Sequence, residues 1–132
     1  MSFALVMCQS ATQTANTGTI PNVPVNIQVN LQSITYSKLT VDNGWVYLNG
    51  GNRGIILYRA SSTSYLAFER TCTYYPNNAC ALVKVAQSNF YMTDTCCSSV
   101  FDFTGTPTSG PATVPLKQYS VSLNGSLINI IN

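Results

Sequence analysis

The sequence predicts an all-β domain built as an antiparallel sandwich or barrel. Apolar and polar residues alternate strictly through VNIQVNL, residues 25–31, and a period of two residues is typical of a half-buried strand. Short apolar runs then recur at roughly ten-residue spacing, separated by turn-forming residues, as in sandwiches and barrels. The last two runs flank Asn124-Gly125, a dipeptide that strongly favours a hairpin turn. The 132 residues suffice for one domain.

The predicted strands are all short. Along the chain they are 25–31, 45–48 (WVYL), 54–60 (GIILYRA), 64–70 (SYLAFER), 81–86 (ALVKVA), 89–92 (NFYM), 119–123 (YSVSL) and 126–130 (SLINI). The segment LQSITYSKL, residues 31–39, has a weak helical pattern, but its β-branched residues argue against a helix. Glu69 and Arg70, at the end of the fourth strand, are expected to be solvated or paired locally.

The composition excludes several classes of function. The chain has a net charge of +2 with six scattered Lys and Arg residues, so no basic stripe is available to follow a nucleic acid. It contains no histidine, which removes the usual general base and the imidazole ligand of many metal sites. Asp94 and Asp102 are interpreted as turn and cap residues. We therefore expect no catalytic residues and no enzymatic activity.

The amino-terminal segment resembles the end of a bacterial lipoprotein signal. The apolar run Phe3–Met7 ends at Cys8, Leu5 lies three residues before that cysteine, and the run is too short to span a bilayer. We predict that Cys8 is lipidated, that residues 1–22 form a signal tail and polar tether, and that residues 23–132 form the β domain. The competing interpretation is an ordinary chain terminus with a buried Cys8.

The remaining four cysteines lie in two loops. Cys72 and Cys80 belong to RTCTYYPNNAC, residues 70–80, whereas Cys96 and Cys97 are adjacent in TDTCCSSVFD, residues 93–102. Adjacent cysteines rarely bond to each other, because the small ring strains the peptide between them. Each is therefore expected to find a partner elsewhere in the chain or to bind a metal.

These two loops, followed by GTPTSGPATVPLKQY (105–119) and set between short strands, resemble the Rieske iron–sulfur domain. They resemble more closely a Rieske-like group of envelope lipoproteins from Bacteroidota-type bacteria. The resemblance runs from about Gly44 to Ile130 and rests on YLAFERTC, CSSVFD, GPAT with PLKQY, and NGSLINI. It implies a Rieske-like antiparallel β fold with a small, loop-rich subdomain of the cluster-binding type at residues 70–105.

The same resemblance locates the positions of the cluster ligands. A Rieske domain binds its [2Fe–2S] cluster through two cysteines and two histidines, supplied as Cys-x-His and Cys-x-x-His pairs. The first pair corresponds to Cys72 and Tyr74, and the second to Asp94 and Cys97. Because one cysteine and both histidines are replaced, the resemblance implies a degenerate site, and we expect no cofactor and no metal. The alternative is an atypical [2Fe–2S] cluster.

Many Rieske domains also join the two loops by a disulfide, whose cysteines correspond to Cys80 and Cys96. We expect that bridge here, together with a second bridge between Cys72 and Cys97 across the space of the cluster. Alternating side-chain directions at Cys96 and Cys97 would send their sulfurs to different partners, and an oxidising envelope favours both bonds. Free thiols, or a metal held by the four cysteines, are the alternatives.

These observations predict a non-catalytic envelope lipoprotein that serves as a structural or accessory subunit. Only 8% of the residues are charged, against about a quarter in ordinary domains, which favours association with an envelope complex or self-association. Segment 25–31 is expected to be free to add to a neighbour's sheet. The lipid on Cys8 would anchor the protein to the outer membrane, on the periplasmic face rather than the cell surface. The alternative function is electron transfer.

Overall fold

Ten strands account for most of the regular structure in the computed structural model, which describes residues 20–132. In chain order they are β1 (Asn26–Asn30), β2 (Trp45–Leu48), β3 (Ile55–Ser61), β4 (Ser64–Glu69), β5 (Lys84–Val85), β6 (Met92–Asp94), β7 (Ser99–Phe101), β8 (Pro107–Ser109), β9 (Gln118–Asn124) and β10 (Leu127–Ile131). The all-β prediction is confirmed. The predicted lipidation site Cys8 and most of the predicted tether lie outside the described residues.

Six strands form one antiparallel sheet in the order β1-β10-β9-β4-β3-β2. The predicted hairpin joins β9 to β10, with Leu127 opposite Asn124 and Gly125 in the left-handed region at φ 63°. Strand β1 pairs with β10 along its whole length, from Asn26 opposite Ile131 to Asn30 opposite Leu127. One edge of the 25–31 segment is therefore occupied within the chain, and its other edge is the outer edge of the sheet.

The alternation seen in the sequence determines which residues of this sheet face the interior. Along β1, Val29 is fully buried while its neighbours Gln28 and Asn30 are exposed. One apolar cluster lies on one face of this sheet. Its buried members are Val25, Val29, Leu39, Ile55, Leu57, Tyr65, Ala67, Tyr119, Ile128 and Ile130.

Residues 34–40 form a 3₁₀ helix, Ile34–Thr40, so the expectation that residues 31–39 are not helical was wrong. Ser33 caps the helix by accepting a hydrogen bond from the N–H of Thr35. The side chain of Leu39 is fully buried in the apolar cluster of the large sheet. Capping and burial thus outweigh the weak helix propensity of the β-branched residues. No helix in residues 20–132 has the length and apolar character needed to cross a membrane.

The other four strands form a smaller antiparallel sheet in the order β5-β6-β7-β8. A second apolar cluster lies against it and contains Ile56, Phe68, Cys72, Ala81, Val83, Val85, Met92, Phe101, Ala112 and Leu116. Strands β5 and β6 are shorter than predicted, and β6 begins three residues later than predicted. A turn explains this: Asn89 has φ 64° and its N–H donates to the carbonyl of Ala86, which leaves Phe90 83% exposed.

Glu69 and Arg70 were expected to be solvated or paired locally, but Glu69 is buried and its carboxylate forms no ion pair with Arg70. Glu69 is 0% exposed, and its carboxylate accepts five hydrogen bonds. The donors are the hydroxyl of Tyr119 (2.6 Å), the N–H of Asn52 (2.8 Å), the N–H of Arg53 (2.8 Å), and the N–H (3.0 Å) and hydroxyl (2.7 Å) of Thr71. The guanidinium of Arg70 lies 3.8 Å from the centre of the Tyr47 ring and donates to the carbonyl of Val83. Pattern alone could not reveal this, because the donors Asn52, Arg53 and Tyr119 are distant from Glu69 in the sequence.

Candidate functional site

The two cysteine-bearing loops meet at one end of the smaller sheet. Thr71, just before Cys72, forms an isolated antiparallel bridge with Leu82, and the other loop is the tight turn between β6 and β7. The predicted disulfide between Cys80 and Cys96 is present and joins the loops, with the Cα atoms 5.9 Å apart. This bond holds the turn that carries Asp94 and Cys97 against the segment that carries Cys72.

The second predicted disulfide, between Cys72 and Cys97, is not formed. Both cysteines are free thiols. The prediction assumed an extended segment with alternating side chains, whereas residues 95–98 form a turn. The N–H of Ser98 donates to the carbonyl of Asp94 at 2.8 Å, and Ser98 has φ 66°. This turn directs the sulfur of Cys97 toward Asp94 and Ser99, at 3.4 Å from Oδ2 and 3.0 Å from Oγ.

Three of the four predicted cluster-ligand positions converge. The sulfurs of Cys72 and Cys97 and a carboxylate oxygen of Asp94 all lie within 4.8 Å of one another. Cys72 and Asp94 are buried, and Cys97 is half-buried. The fourth position, Tyr74, contributes its backbone N–H to the sulfur of Cys72 at 3.5 Å, while its ring packs edge-on against Tyr75.

Each of the three groups has its own hydrogen-bond partner. The N–H of Tyr74 reaches the sulfur of Cys72, and the N–H of Cys96 donates to Oδ1 of Asp94 at 2.9 Å. Ser99 Oγ accepts the N–H of Ala112 at 3.0 Å, which leaves the Ser99 hydroxyl hydrogen available to the sulfur of Cys97. Sequence reasoning missed this role of Ser99, a fully buried residue, although its position two residues after Cys97 was a usable signal.

The electrostatics of the group are dominated by burial. Asp94 is buried, yet it forms no ion pair with a Lys or Arg side chain; the ion pair found in residues 20–132 joins Arg59 to Asp42. Burial raises the pKa of the Cys72 thiol strongly, and although the N–H of Tyr74 lowers it, Asp94 and Cys97 raise it further. Without a cation, Cys72 is therefore a neutral thiol at neutral pH.

These residues do not fit a Rieske [2Fe–2S] cluster. Such a cluster takes two cysteines on one iron and two histidines on the other, and the chain has no histidine. Cys97 occupies a histidine position, yet its sulfur lies within 4.8 Å of both other ligand atoms. That spacing suits ligands that share one ion rather than ligands on two irons.

Comparison with known proteins identifies the fold. No family model matches the chain, and neither does any curated protein. The solved structure of the cyanobacterial plasma membrane Rieske protein PetC3 from Synechocystis PCC 6803 matches with a TM-score of 0.58 and 24% identity, over 79% of this chain and 98% of that one.

A second solved structure has the same architecture. The ferredoxin of carbazole 1,9a-dioxygenase from Nocardioides aromaticivorans IC177 matches with a TM-score of 0.52 and 16% identity, over 83% of this chain and 97% of that one. At these identities the likeness establishes the fold alone. The chain is thus a Rieske-like domain in the sense that it has the fold of Rieske proteins.

Proposed function

We propose that this protein is a non-catalytic Rieske-like scaffold that supports a protein assembly of the cell envelope and does not transfer electrons through a [2Fe–2S] cluster. The observation that carries the proposal is the group formed by Cys72, Asp94 and Cys97, at positions that the sequence resemblance assigns to the family's cysteine and histidine ligands. A scaffold that has exchanged these ligands retains its loops but loses the family's means of holding a cluster.

The construction of the two loops supports a structural role. The Cys80–Cys96 bridge joins them covalently, the N–H of Cys96 donates to Asp94 within the turn, and the N–H of Ala112 donates to the buried hydroxyl oxygen of Ser99. These contacts hold the loop tip in one arrangement without a cluster. The chain lacks the histidine that most often serves as a general base near neutral pH, which supports a non-enzymatic role.

The surface supports association with other proteins. Ile34 is 87% exposed and Phe90 is 83% exposed, although apolar side chains of this size are usually at least partly covered. The outer edges of β1 and β2 end the large sheet, and a free edge can accept a strand from another chain. The chain also contains few charged residues. Together, these features favour docking in an envelope complex or self-association.

The disulfide supports a location outside the cytoplasm, because such bonds persist in oxidising compartments. The plasma membrane origin of the cyanobacterial protein with the same fold is consistent with an envelope location. Within the envelope, we propose that Cys8 carries lipid and anchors the protein to the outer membrane on its periplasmic face. The Cys8→Ser variant should then appear in the soluble fraction, and a variant that stays with the membranes would contradict the anchor.

The absence of a cluster is tested by the visible spectrum together with the iron and sulfide content of protein purified without oxygen. We expect a colourless protein with neither iron nor acid-labile sulfide in stoichiometric amount. A brown protein with two irons and two sulfides per chain would overturn the proposal and establish the electron-transfer alternative.

The structural role is tested by capture of the tagged protein from detergent-solubilised membranes, followed by light scattering of the eluted material. A monodisperse single chain with no partner would contradict it.

A further inference from the structure

The three groups at the loop tip have the geometry of ligands for one metal ion. Ligand atoms around a tetrahedral zinc ion lie roughly 3.5–3.8 Å apart, as follows from metal–ligand bonds of about 2.0–2.3 Å. The sulfurs of Cys72 and Cys97 and the oxygen of Asp94 already lie within 4.8 Å of one another. A small contraction would therefore bring them to coordination distance without rearranging the loops.

Hydrogen bonds fix the position of each of the three groups. The N–H of Tyr74 points to the sulfur of Cys72, and the N–H of Cys96 to Oδ1 of Asp94. Ser99, whose oxygen is already occupied by the N–H of Ala112, can donate its own hydrogen to the sulfur of Cys97 at 3.0 Å. Partners of this kind orient metal ligands.

A cation suits this site better than a second disulfide. Oδ2 of Asp94 lies 3.4 Å from the thiol of Cys97, and the carboxylate is buried. A Cys72–Cys97 bond would remove the S–H donor and leave a buried carboxylate oxygen without it, at a cost of about 1–3 kcal/mol. A divalent cation would instead bind that oxygen directly and balance its charge.

We propose that Cys72, Asp94 and Cys97 bind a single zinc ion, with a water or an external ligand in the fourth position. Binding displaces the two thiol protons to solvent, so a Zn²⁺ ion is held by two thiolates and one carboxylate, and no oxidant or reductant is needed. The partly exposed side of Cys97 provides the route to solvent. The site goes beyond the proposed function, because an ion bound by residues of both loops would connect them independently of any partner.

The test is zinc titration of the full chain, purified without oxygen and freed of metal, with metal content measured by mass spectrometry. We expect one zinc per chain, and protection of Cys72 and Cys97 from alkylation when zinc is bound. Cobalt(II) should bind in the same place and give the intense thiolate charge-transfer absorption of a tetrahedral sulfur site. Failure of the native chain to take up zinc while both thiols remain alkylatable would overturn the proposal.

Variants locate the site. Cys97→Ser and Asp94→Asn should weaken zinc binding at least about 100-fold, and Ser99→Ala about 10–100-fold, as found for partners that support metal ligands. Asp102→Asn is the matched control, because this carboxylate belongs to the next turn and accepts hydrogen bonds from Thr104 and Thr106. Unchanged zinc affinity in both Cys97→Ser and Asp94→Asn would refute the site.

Two further outcomes separate this proposal from the proposed function. A chain that contains two irons and two sulfides would refute both. A colourless chain that binds no zinc, including one in which a Cys72–Cys97 disulfide re-forms after reduction and reoxidation, would refute only the zinc site. Circular dichroism and the melting temperature of each metal-free variant show whether a loss of binding reflects unfolding.

Discussion

The hydroxyl of Tyr119 donates a 2.6 Å hydrogen bond to Oε1 of Glu69 and thereby joins β9 to the end of β4 in the interior. Both residues are buried. The remaining donors to this carboxylate are Asn52 and Arg53 in the β2–β3 loop and Thr71 at the start of the first cysteine loop. The buried carboxylate of Glu69 is stabilised by hydrogen-bond donors and not by a cation. It therefore connects the large sheet, the β2–β3 loop and the start of the first cysteine loop.

Loss of the Tyr119 hydroxyl should destabilise the protein markedly. Hydrogen bonds to charged groups contribute about 1.5–3 kcal/mol, and we expect Tyr119→Phe to lower the free energy of unfolding by that amount in urea titrations. Tyr58→Phe is the control, because the hydroxyl of Tyr58, which is also a buried residue, donates to a neutral amide oxygen, Oδ1 of Asn43. Its removal should cost only about 0.5–1.5 kcal/mol. Equal losses in the two variants would contradict the importance of the charge.

Acid should weaken the fold through Glu69. Burial raises the pKa of Glu69, but the donors from Tyr119, Asn52, Thr71 and Arg53 outweigh it and lower the pKa below 4.5. The folded state thus binds fewer protons than the unfolded state, so this stabilisation is present above about pH 4.5 and is lost as the pH falls through the folded pKa. Urea unfolding across that range should show a steep loss of stability.

Variants identify which carboxylate causes this loss. The chain has only four acidic residues, and the pKa of Asp102 is also lowered, because hydrogen bonds from Thr104 and Thr106 outweigh its burial. Glu69→Gln should be less stable at neutral pH and should lose part of the acid dependence. Asp102→Asn should keep the part due to Glu69. An unchanged pH profile in Glu69→Gln would assign the effect elsewhere.

Gly51 provides a second test of the same network. It has φ +64°, and a side chain added there would collide with Oε1 of Glu69 and the hydroxyl of Tyr119. Gly125 has almost the same backbone conformation, φ +63°, but no atom within 4 Å of an added Cβ. Gly125→Ala should therefore cost about 1–2 kcal/mol for the left-handed backbone. Gly51→Ala should cost about 3 kcal/mol or more, because it also disrupts a charged hydrogen bond. Similar melting temperatures for the two variants would contradict the collision.

The sequence predicted those features that depend on local pattern. The alternation in residues 25–31 and the Asn124-Gly125 turn specify β1 and the β9–β10 hairpin, because side-chain period and turn chemistry act over a few residues. The Rieske-like fold and the Cys80–Cys96 bridge followed from the resemblance of the loops. Glu69 was misjudged because three of its partners, Asn52, Arg53 and Tyr119, come from two segments that are distant in the sequence.

The state of Cys72 and Cys97 depended on a turn that pattern did not reveal. A tight turn in residues 95–98 brings the sulfur of Cys97 beside Asp94 and Ser99 and keeps it within 4.8 Å of the Cys72 sulfur, without a bond between the two. The hydrogen bond that closes this turn runs from the N–H of Ser98 to the carbonyl of Asp94. Backbone hydrogen bonds of this kind depend little on residue type, so the sequence pattern does not predict them. The three converging groups were all named from the sequence, but their mutual contact required the folded loops.

The Cys80–Cys96 bridge should matter more for the loops than for the large sheet. It closes a loop with a sequence separation of 16 residues, for which the chain-entropy account gives about 3 kcal/mol. We expect a Cys80→Ser/Cys96→Ser double variant to lose about that much stability in urea. Because the bridge connects segments that precede β5 and follow β6, amide exchange should accelerate in β5 to β8 while β3, β4, β9 and β10 remain protected. The control is the native protein treated with a reductant, which should reproduce the stability of the double variant. Uniform acceleration across both sheets would show instead that the bridge stabilises the domain as one cooperative unit.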